Sequence, residues 1–265
     1  MREPMNEPQV ITAQREEAAR LLAAARASGR AGPRLPEGCR PADLESALAI
    51  QRRVVALLGQ DVGGWKCSLP PGAGRINAAP ILARTIFRAS PCTIAAAGAT
   101  ARIEPEVAFV MGGDLPRRDT AYSEAEVRAA IAETRLALEL LGTRYADPAS
   151  VGWHEMMADC MQNQGLLVGP VVPRGLDAAL EAFPVTVGGA GGVLSTHDGR
   201  HGDGHPLRPL HWLANFLAAR GEGLRAGQVV TTGSYAGAIE VPLGEPLTVT
   251  FGDLGVIATE LVRTA

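Results

Sequence analysis

The chain has 265 residues, 46% of them hydrophobic and 20% charged, with a formal net charge of −3. That length supports one large domain or two small ones with a sizeable buried core. The slightly acidic balance, without any basic run, argues against nucleic-acid binding as the main activity. No apolar stretch approaches the ~20 residues of a membrane span. The start, Met1-Arg2-Glu3-Pro4, lacks an apolar leader core, which predicts no secretory signal. Cys39, Cys67, Cys92 and Cys160 stand apart without a C-x-x-C pair. They read as reduced thiols of a cytoplasmic protein, not as a zinc site or disulfide frame.

In chain order, Ala13–Arg30 is rich in Ala, Leu, Glu and Arg and predicts a helix that ends among glycines. Asp43–Leu58 repeats Leu44, Leu48, Ile50, Val54 and Leu58 at near-helical spacing, with Gly59 to stop it. From Trp65 the texture turns to short β-like runs between Gly and Pro. Strands are predicted at Gly64–Cys67, Ile103–Met111, Leu166–Val168, Pro184–Val187, Val193–Thr196, Gln228–Thr232, Leu247–Phe251 and Val256–Leu261. Ser123 to Glu126 forms an S-x-x-E capping box ahead of a helix running to about Arg135. A second inserted helix spans Leu210–Arg220. The Gly188–Gly192 cluster lacks G-x-G-x-x-G spacing and a following helix, so it reads as a hairpin turn. The pattern predicts an α+β chain: a helical region over 1–62, then a β-rich domain over 63–265 built on a curled, mainly antiparallel sheet.

Among 25 cationic side chains, 24 are arginines and one is a lysine, Lys66. Unlike arginine, lysine can give up its proton when desolvated, and its ammonium is a compact donor. A lone lysine therefore points to a chemical role, or else to a compositional bias that leaves one by chance. The run Ile103-Glu104-Pro105-Glu106-Val107-Ala108-Phe109-Val110 places two carboxylates on one side of an apolar strand. Such a pair is costly to desolvate, and a hard divalent cation would neutralise it. The alternative is a partly exposed strand with two ordinary surface glutamates. Glu139 is a third carboxylate, within Leu136-Ala137-Leu138-Glu139-Leu140-Leu141, where period alone does not separate a strand from a helix end.

These tags recur in a fixed order: Gly64-Trp65-Lys66, the Ile103–Phe109 run, Ala137-Leu138-Glu139, Ala158-Asp159, Trp212–Asn215, Thr232-Gly233-Ser234 and Phe251–Gly255. Together they resemble the fumarylacetoacetate hydrolase superfamily from about Asp43 onward. The nearest group is that of 2-keto-4-pentenoate hydratase and 4-oxalocrotonate decarboxylase. The resemblance implies a curled sheet around the active site, Mg²⁺ or Mn²⁺, a 2-oxo acid substrate and a homo-oligomer. It also implies that Glu104, Glu106 and Glu139 are metal ligands and Lys66 is the catalytic lysine. On the same pattern Thr232, Gly233 and Ser234 line the substrate carboxylate; Gln162 is a further candidate substrate contact. The implied activity is a hydro-lyase of aromatic-compound degradation, with decarboxylation or acylpyruvate C–C hydrolysis as alternatives.

Two segments depart from that pattern. Cys67–Ala79 is shortened, with Ala78-Ala79-Pro80 where the family has an acid, and Cys160-Met161-Gln162-Asn163 replaces an Asn-Ala-Ser-Ser segment. These departures motivate a rival reading, a non-catalytic scaffold subunit. His197-x3-His201-x3-His205 has zinc-like spacing, but its Gly-rich context predicts an exposed loop. His154-Glu155 is expected at the surface or a pocket rim. Trp153, Met156 and Met157 are expected to pack a core or pocket wall.

Overall fold

The computed structural model describes residues 12–72 and 74–264. The reading of Met1–Pro4 lies outside them. Helix α1 (Ala13–Ser28) starts where the Thr12 hydroxyl accepts the Arg15 N–H and stops at left-handed Gly29. Helix α2 (Leu44–Leu58) begins with a reciprocal Asp43–Ser46 capping box and ends at Gly59. The two share a small apolar cluster in which Ala18, Ala19 and Leu22 meet Ile50 and Val54.

The larger sheet contains β1 (Val62–Gly72), β2 (Arg75–Leu82), β3 (Ile86–Phe87), β5 (Thr100–Met111), β6 (Ile131–Leu141), β7 (Asn163–Val171), β10 (Val229–Ser234) and β11 (Ile239–Pro242). Its order is β2-β1-β10-β5-β6-β7-β3, with β11 also paired to β5. The second sheet holds β4 (Cys92–Ile94), β8 (Ala182–Gly189), β9 (Gly192–Arg200), β12 (Pro246–Phe251) and β13 (Gly255–Arg263), in the order β4-β13-β12-β8-β9. Among the described strands the parallel pairs are β1–β10, β13–β4 and β3–β7, and the remaining ladders are antiparallel. The chain is thus α+β with a curled, mainly antiparallel sheet, as expected. The Gly188–Gly192 segment joins β8 to β9 as the predicted hairpin.

One expectation needs correction, and two features were not anticipated. The helix expected from Ser123 to about Arg135 is the short α3 (Glu124–Ala129), and Ile131 already begins β6. Long-range pairing to β5 along the whole stretch, joined by β7 from Arg135, overrides its local helical tendency. The segment after Lys66 is a hairpin, with Ala78-Ala79-Pro80 in β2 and Pro80 facing Trp65. Proline is tolerated there because β2 is an edge strand. Helix α4 (Trp153–Ala158) was not anticipated; α5 (Leu207–Ala219) was.

Strand alternation separates core from site. Ile103, Val107, Phe109 and Met111 of β5 join Leu136, Leu138 and Leu140 of β6 in the main core. Each such burial contributes about 1.5–3 kcal/mol. The opposite face has a floor of small and branched side chains, Ala108, Ala137, Leu166, Val168 and Val229. Glu104, Glu106 and Glu139 continue that second face. Lys66 obeys the same rule: Trp65 and Cys67 enter the core, so Lys66 turns to the opposite side. A Cβ on Gly64 would lie 2.2 Å from the Val229 carbonyl oxygen, so only glycine lets β1 approach β10 this closely.

Candidate active site

Glu104 pairs directly with Glu139 across the β5–β6 ladder, and Glu106 pairs with Ala137. One oxygen from each of the three glutamates lies within 4.8 Å of the others. Glu106 is 1% exposed and Glu139 fully buried. Lys66, on β1 opposite Thr231 of β10, reaches Glu139 Oε1 at 2.8 Å and donates to the Met161 carbonyl at 3.3 Å. The Asn163 amide donates to the same Glu139 oxygen at 2.8 Å. Glu139 Oε2 is buried and has no hydrogen-bond partner.

The electrostatics follow from crowding. Burial, then Glu139 and Glu104, push the Glu106 carboxyl well above the usual glutamate range, against the pull of Lys66 and the Gly233 N–H. Burial also raises Glu104, with Lys66 opposing and Glu139 adding to it. Burial alone would depress Lys66, but Glu139, Glu104 and Glu106 outweigh it and hold the ammonium above the ordinary lysine value. One ammonium faces three carboxylates, so the cluster retains a deficit of positive charge. The orphaned Glu139 oxygen and this deficit together fit a hard divalent cation with oxygen ligands.

The Pro105 carbonyl accepts the Tyr235 N–H at 3.0 Å. Its missing N–H therefore falls at the seam where β5 exchanges β10 for β11, so no ladder bond is lost. Just before that seam, Gly233 adopts φ +115°, and its N–H donates to Glu106 Oε2 at 2.8 Å. The buried Thr232 hydroxyl donates to the Val107 carbonyl at 3.4 Å, so this residue offers backbone rather than side chain. Ser234 Oγ donates to the Gly237 carbonyl at 3.0 Å and accepts the Ala236 N–H at 3.2 Å. Gln162 accepts from Arg102 at 3.4 Å. Lys66, the three glutamates and Gly233 are therefore joined by direct contacts, with Thr232 and Ser234 adjoining in the chain and Gln162 at Arg102.

Three further features escaped sequence reasoning. Asn163 orients Glu139, yet one buried asparagine leaves no spacing signal. Arg102 lies two residues before Glu104, on the same strand face, and stays exposed. That alternation, Arg-x-Glu-x-Glu, was visible. Finally, Cys160, Met161 and Gln162 all have left-handed backbones (φ 53°, 51° and 63°). Left-handed geometry costs a non-glycine residue roughly 1–2 kcal/mol, so this turn needs external support.

The histidine series does not assemble. His197 lies in β9, not in an exposed loop, because β9 pairs with β8 through Arg200. His201 is buried, its Nδ1 accepting the Asp203 N–H at 3.2 Å and its ring edge-on to Tyr235. The one metal-compatible cluster among the described residues is the glutamate triad. Glu155 is not a rim residue: it is buried and receives three hydrogen bonds from Arg34. Met157 is fully buried, consistent with a packing role. The four cysteines are free thiols.

No family model matches the chain. A 2-keto-4-pentenoate hydratase of Paraburkholderia xenovorans is 30% identical over 161 residues, covering 60% of this chain and 58% of that protein. The chain thus spans less than two thirds of that relative. A 2-keto-4-pentenoate hydratase 2 of Dechloromonas aromatica is 27% identical over 250 residues, covering 91% of this chain and 94% of that protein. Among solved structures, a fumarylacetoacetate hydrolase family protein from Yersinia pestis superposes with TM-score 0.54 at 18% identity, over 77% of this chain and 94% of that one. A 4-oxalocrotonate decarboxylase from Pseudomonas putida G7, complexed with magnesium and adipate, reaches TM-score 0.78 at 21% identity, over 97% of this chain and all of that one.

The chain shares its curled-sheet fold with that fumarylacetoacetate hydrolase family protein and with the decarboxylase. In sequence it is similar to the 2-keto-4-pentenoate hydratases.

Proposed function

We propose that the chain is a divalent-metal-dependent hydro-lyase acting on an unsaturated 2-oxo acid or its 2-hydroxydienoic form. The observation that carries this reading is the cluster of half-buried Glu104 with buried Glu106 and Glu139, with Lys66 at its edge. The relatives named as 2-keto-4-pentenoate hydratases support the reaction class, and the magnesium complex of the decarboxylase supports Mg²⁺ as the ion, with Mn²⁺ chemically equivalent in an oxygen site. Glu104, Glu106 and Glu139 would hold the cation. When bound, it supplies Lewis-acid polarisation of the substrate's keto group.

The chain's own groups provide the rest. Lys66 Nζ has three donors, of which Glu139 and the Met161 carbonyl engage two. The third is free to deliver a proton to the substrate or to hold developing negative charge. Burial of the cluster excludes bulk water and strengthens each of these interactions. The Thr232–Ser234 loop receives the substrate carboxylate. Exposed Arg102 draws the anion to the mouth and, with Gln162, flanks its far end. The free thiols suit a reducing, cytoplasmic setting, and the branch suggests a homo-oligomer engaged in the degradation of aromatic compounds.

The test is to incubate the purified chain with 2-keto-4-pentenoate and Mg²⁺, follow loss of the dienol absorbance and identify the product by mass spectrometry. Gain of one water is the expected result. Release of carbon dioxide from an oxalocrotonate would move the chain to the decarboxylase side of the branch, and C–C cleavage of an acylpyruvate to the hydrolase alternative. No turnover of any 2-oxo acid, with a stoichiometric partner enzyme, would leave the scaffold reading.

A further inference from the structure

The left-handed turn Cys160–Gln162 carries the Met161 carbonyl that meets Lys66, and it leads directly into Asn163, which holds Glu139. Three successive non-glycine residues in this conformation persist only when the surroundings over-determine them. The surroundings here are a clamp of two arginines on one aspartate. Arg144 donates through Nε to Asp159 Oδ1 at 2.5 Å and through Nη2 to the Asp159 carbonyl at 3.0 Å, and its backbone N–H donates to Oδ2 at 3.1 Å. Arg26, near the end of α1, reaches across from the helical region. It donates to the Asp159 carbonyl at 2.8 Å, to Asp159 Oδ1 at 3.4 Å and to the Asn163 carbonyl at 3.0 Å.

Arg26 therefore bonds the residue before the turn and the residue after it. Asp159 is 1% exposed and Arg144 6% exposed, so the clamp works in a low-dielectric interior where charge-assisted bonds are directional. From the opposite side, Gly142 N–H donates to the Gln162 carbonyl at 2.8 Å. The helical region grips the preceding helix as well: Gln51 of α2 donates to the Met157 carbonyl at 2.8 Å, and Arg34 holds Glu155.

We propose that Arg26 and Arg144, acting through Asp159, are positioning residues that hold the Cys160–Gln162 turn in its left-handed form so that Met161 and Asn163 fix Lys66 and Glu139. In this arrangement the helical region is part of the active site's supporting frame. The geometry holds whichever reaction the site performs, so failure of the proposed function would leave it standing.

Because Lys66 is the chain's single lysine, its ammonium can be followed alone. The purified full chain and its Arg26→Met and Arg26→Lys variants are labelled with an amine-reactive succinimidyl ester. Peptide mapping separates Lys66 from the terminal amine and from the introduced lysine. Hydrogen exchange is read over the peptide spanning the turn, and circular dichroism checks the fold. With native circular dichroism, Arg26→Met should label Lys66 about fivefold faster, the factor carried by one lost hydrogen bond of ordinary strength. Exchange in the turn peptide should rise in parallel. Arg26→Lys, which keeps one charged donor, should fall between Arg26→Met and the wild type. For a substrate that turns over, kcat should fall more than KM rises. If Arg26→Met loses native circular dichroism, Arg26→Lys decides on the same two readouts. Labelling and exchange equal to wild type in a natively folded variant would overturn the proposal.

Discussion

Lys66 Nζ lies 2.8 Å from Glu139 Oε1, while the other oxygen of that carboxylate is buried without a partner. A half-satisfied carboxylate beside the chain's one lysine links the site's charge balance to its chemistry. Replacing Lys66 with Met removes the compensating charge from a buried acid and is expected to cost about 3–5 kcal/mol in denaturant unfolding without added metal. Turnover should be abolished. Calorimetric affinity for Mg²⁺ should be retained or increased, because one competing positive charge is gone. Full activity in Lys66→Met would remove the lysine from the mechanism.

The raised Glu106 carboxyl gives a pH dependence with a definite sign. Its folded pKa lies well above its ordinary 4.5 through burial and its glutamate neighbours. The folded chain thus binds more protons than the unfolded chain between those two values, and stability falls as pH rises through that window. Thermal melts of chelator-treated protein should show Tm declining above about pH 4.5. Glu106→Gln should flatten that slope, and Mg²⁺ should reverse it in the wild type only. A flat profile in chelator-treated wild type would contradict the crowding of the three carboxylates.

Gly233→Ala tests the loop beside Glu106. Space is not the obstacle, since a Cβ there would lie 3.8 Å from its nearest neighbour, His201. The backbone at φ +115° is the obstacle. The expected cost is about 1–3 kcal/mol in unfolding free energy. Mg²⁺ affinity should weaken by calorimetry as the N–H is drawn off Glu106.

Gln162→Gly separates stability from binding. Glycine accepts the left-handed conformation that Gln162 adopts, so unfolding should be shifted in favour of the native state by about 1 kcal/mol. Loss of the amide at Arg102 should raise KM for the 2-oxo acid at the same time. An unchanged KM would remove Gln162 from the substrate site.

Much of the site was legible because alternation along a strand is a local rule. Glu104 and Glu106 share a face by period two alone, and the leucines around Glu139 look apolar because they belong to the opposite face. What failed was set by long-range pairing. Ile131–Arg135 carries helical composition yet is paired with β5 and, at Arg135, with β7. Ala78–Pro80 is a strand only because β1 accepts it as an edge. Glu155 and His201 are interior because Arg34 and Tyr235, distant in sequence, cover them. The Arg26–Asp159 contact joins residues 133 positions apart, beyond the reach of any motif.

The most direct measurement is turnover of 2-keto-4-pentenoate by the wild type and Glu106→Gln, each with Mg²⁺ and after chelation, with product mass as the readout. Mg²⁺-dependent addition of one water by the wild type, lost in Glu106→Gln together with calorimetric Mg²⁺ binding, is the predicted result. Equal turnover after chelation, or unchanged Mg²⁺ binding in Glu106→Gln, would contradict a carboxylate-held cation at the centre of this site.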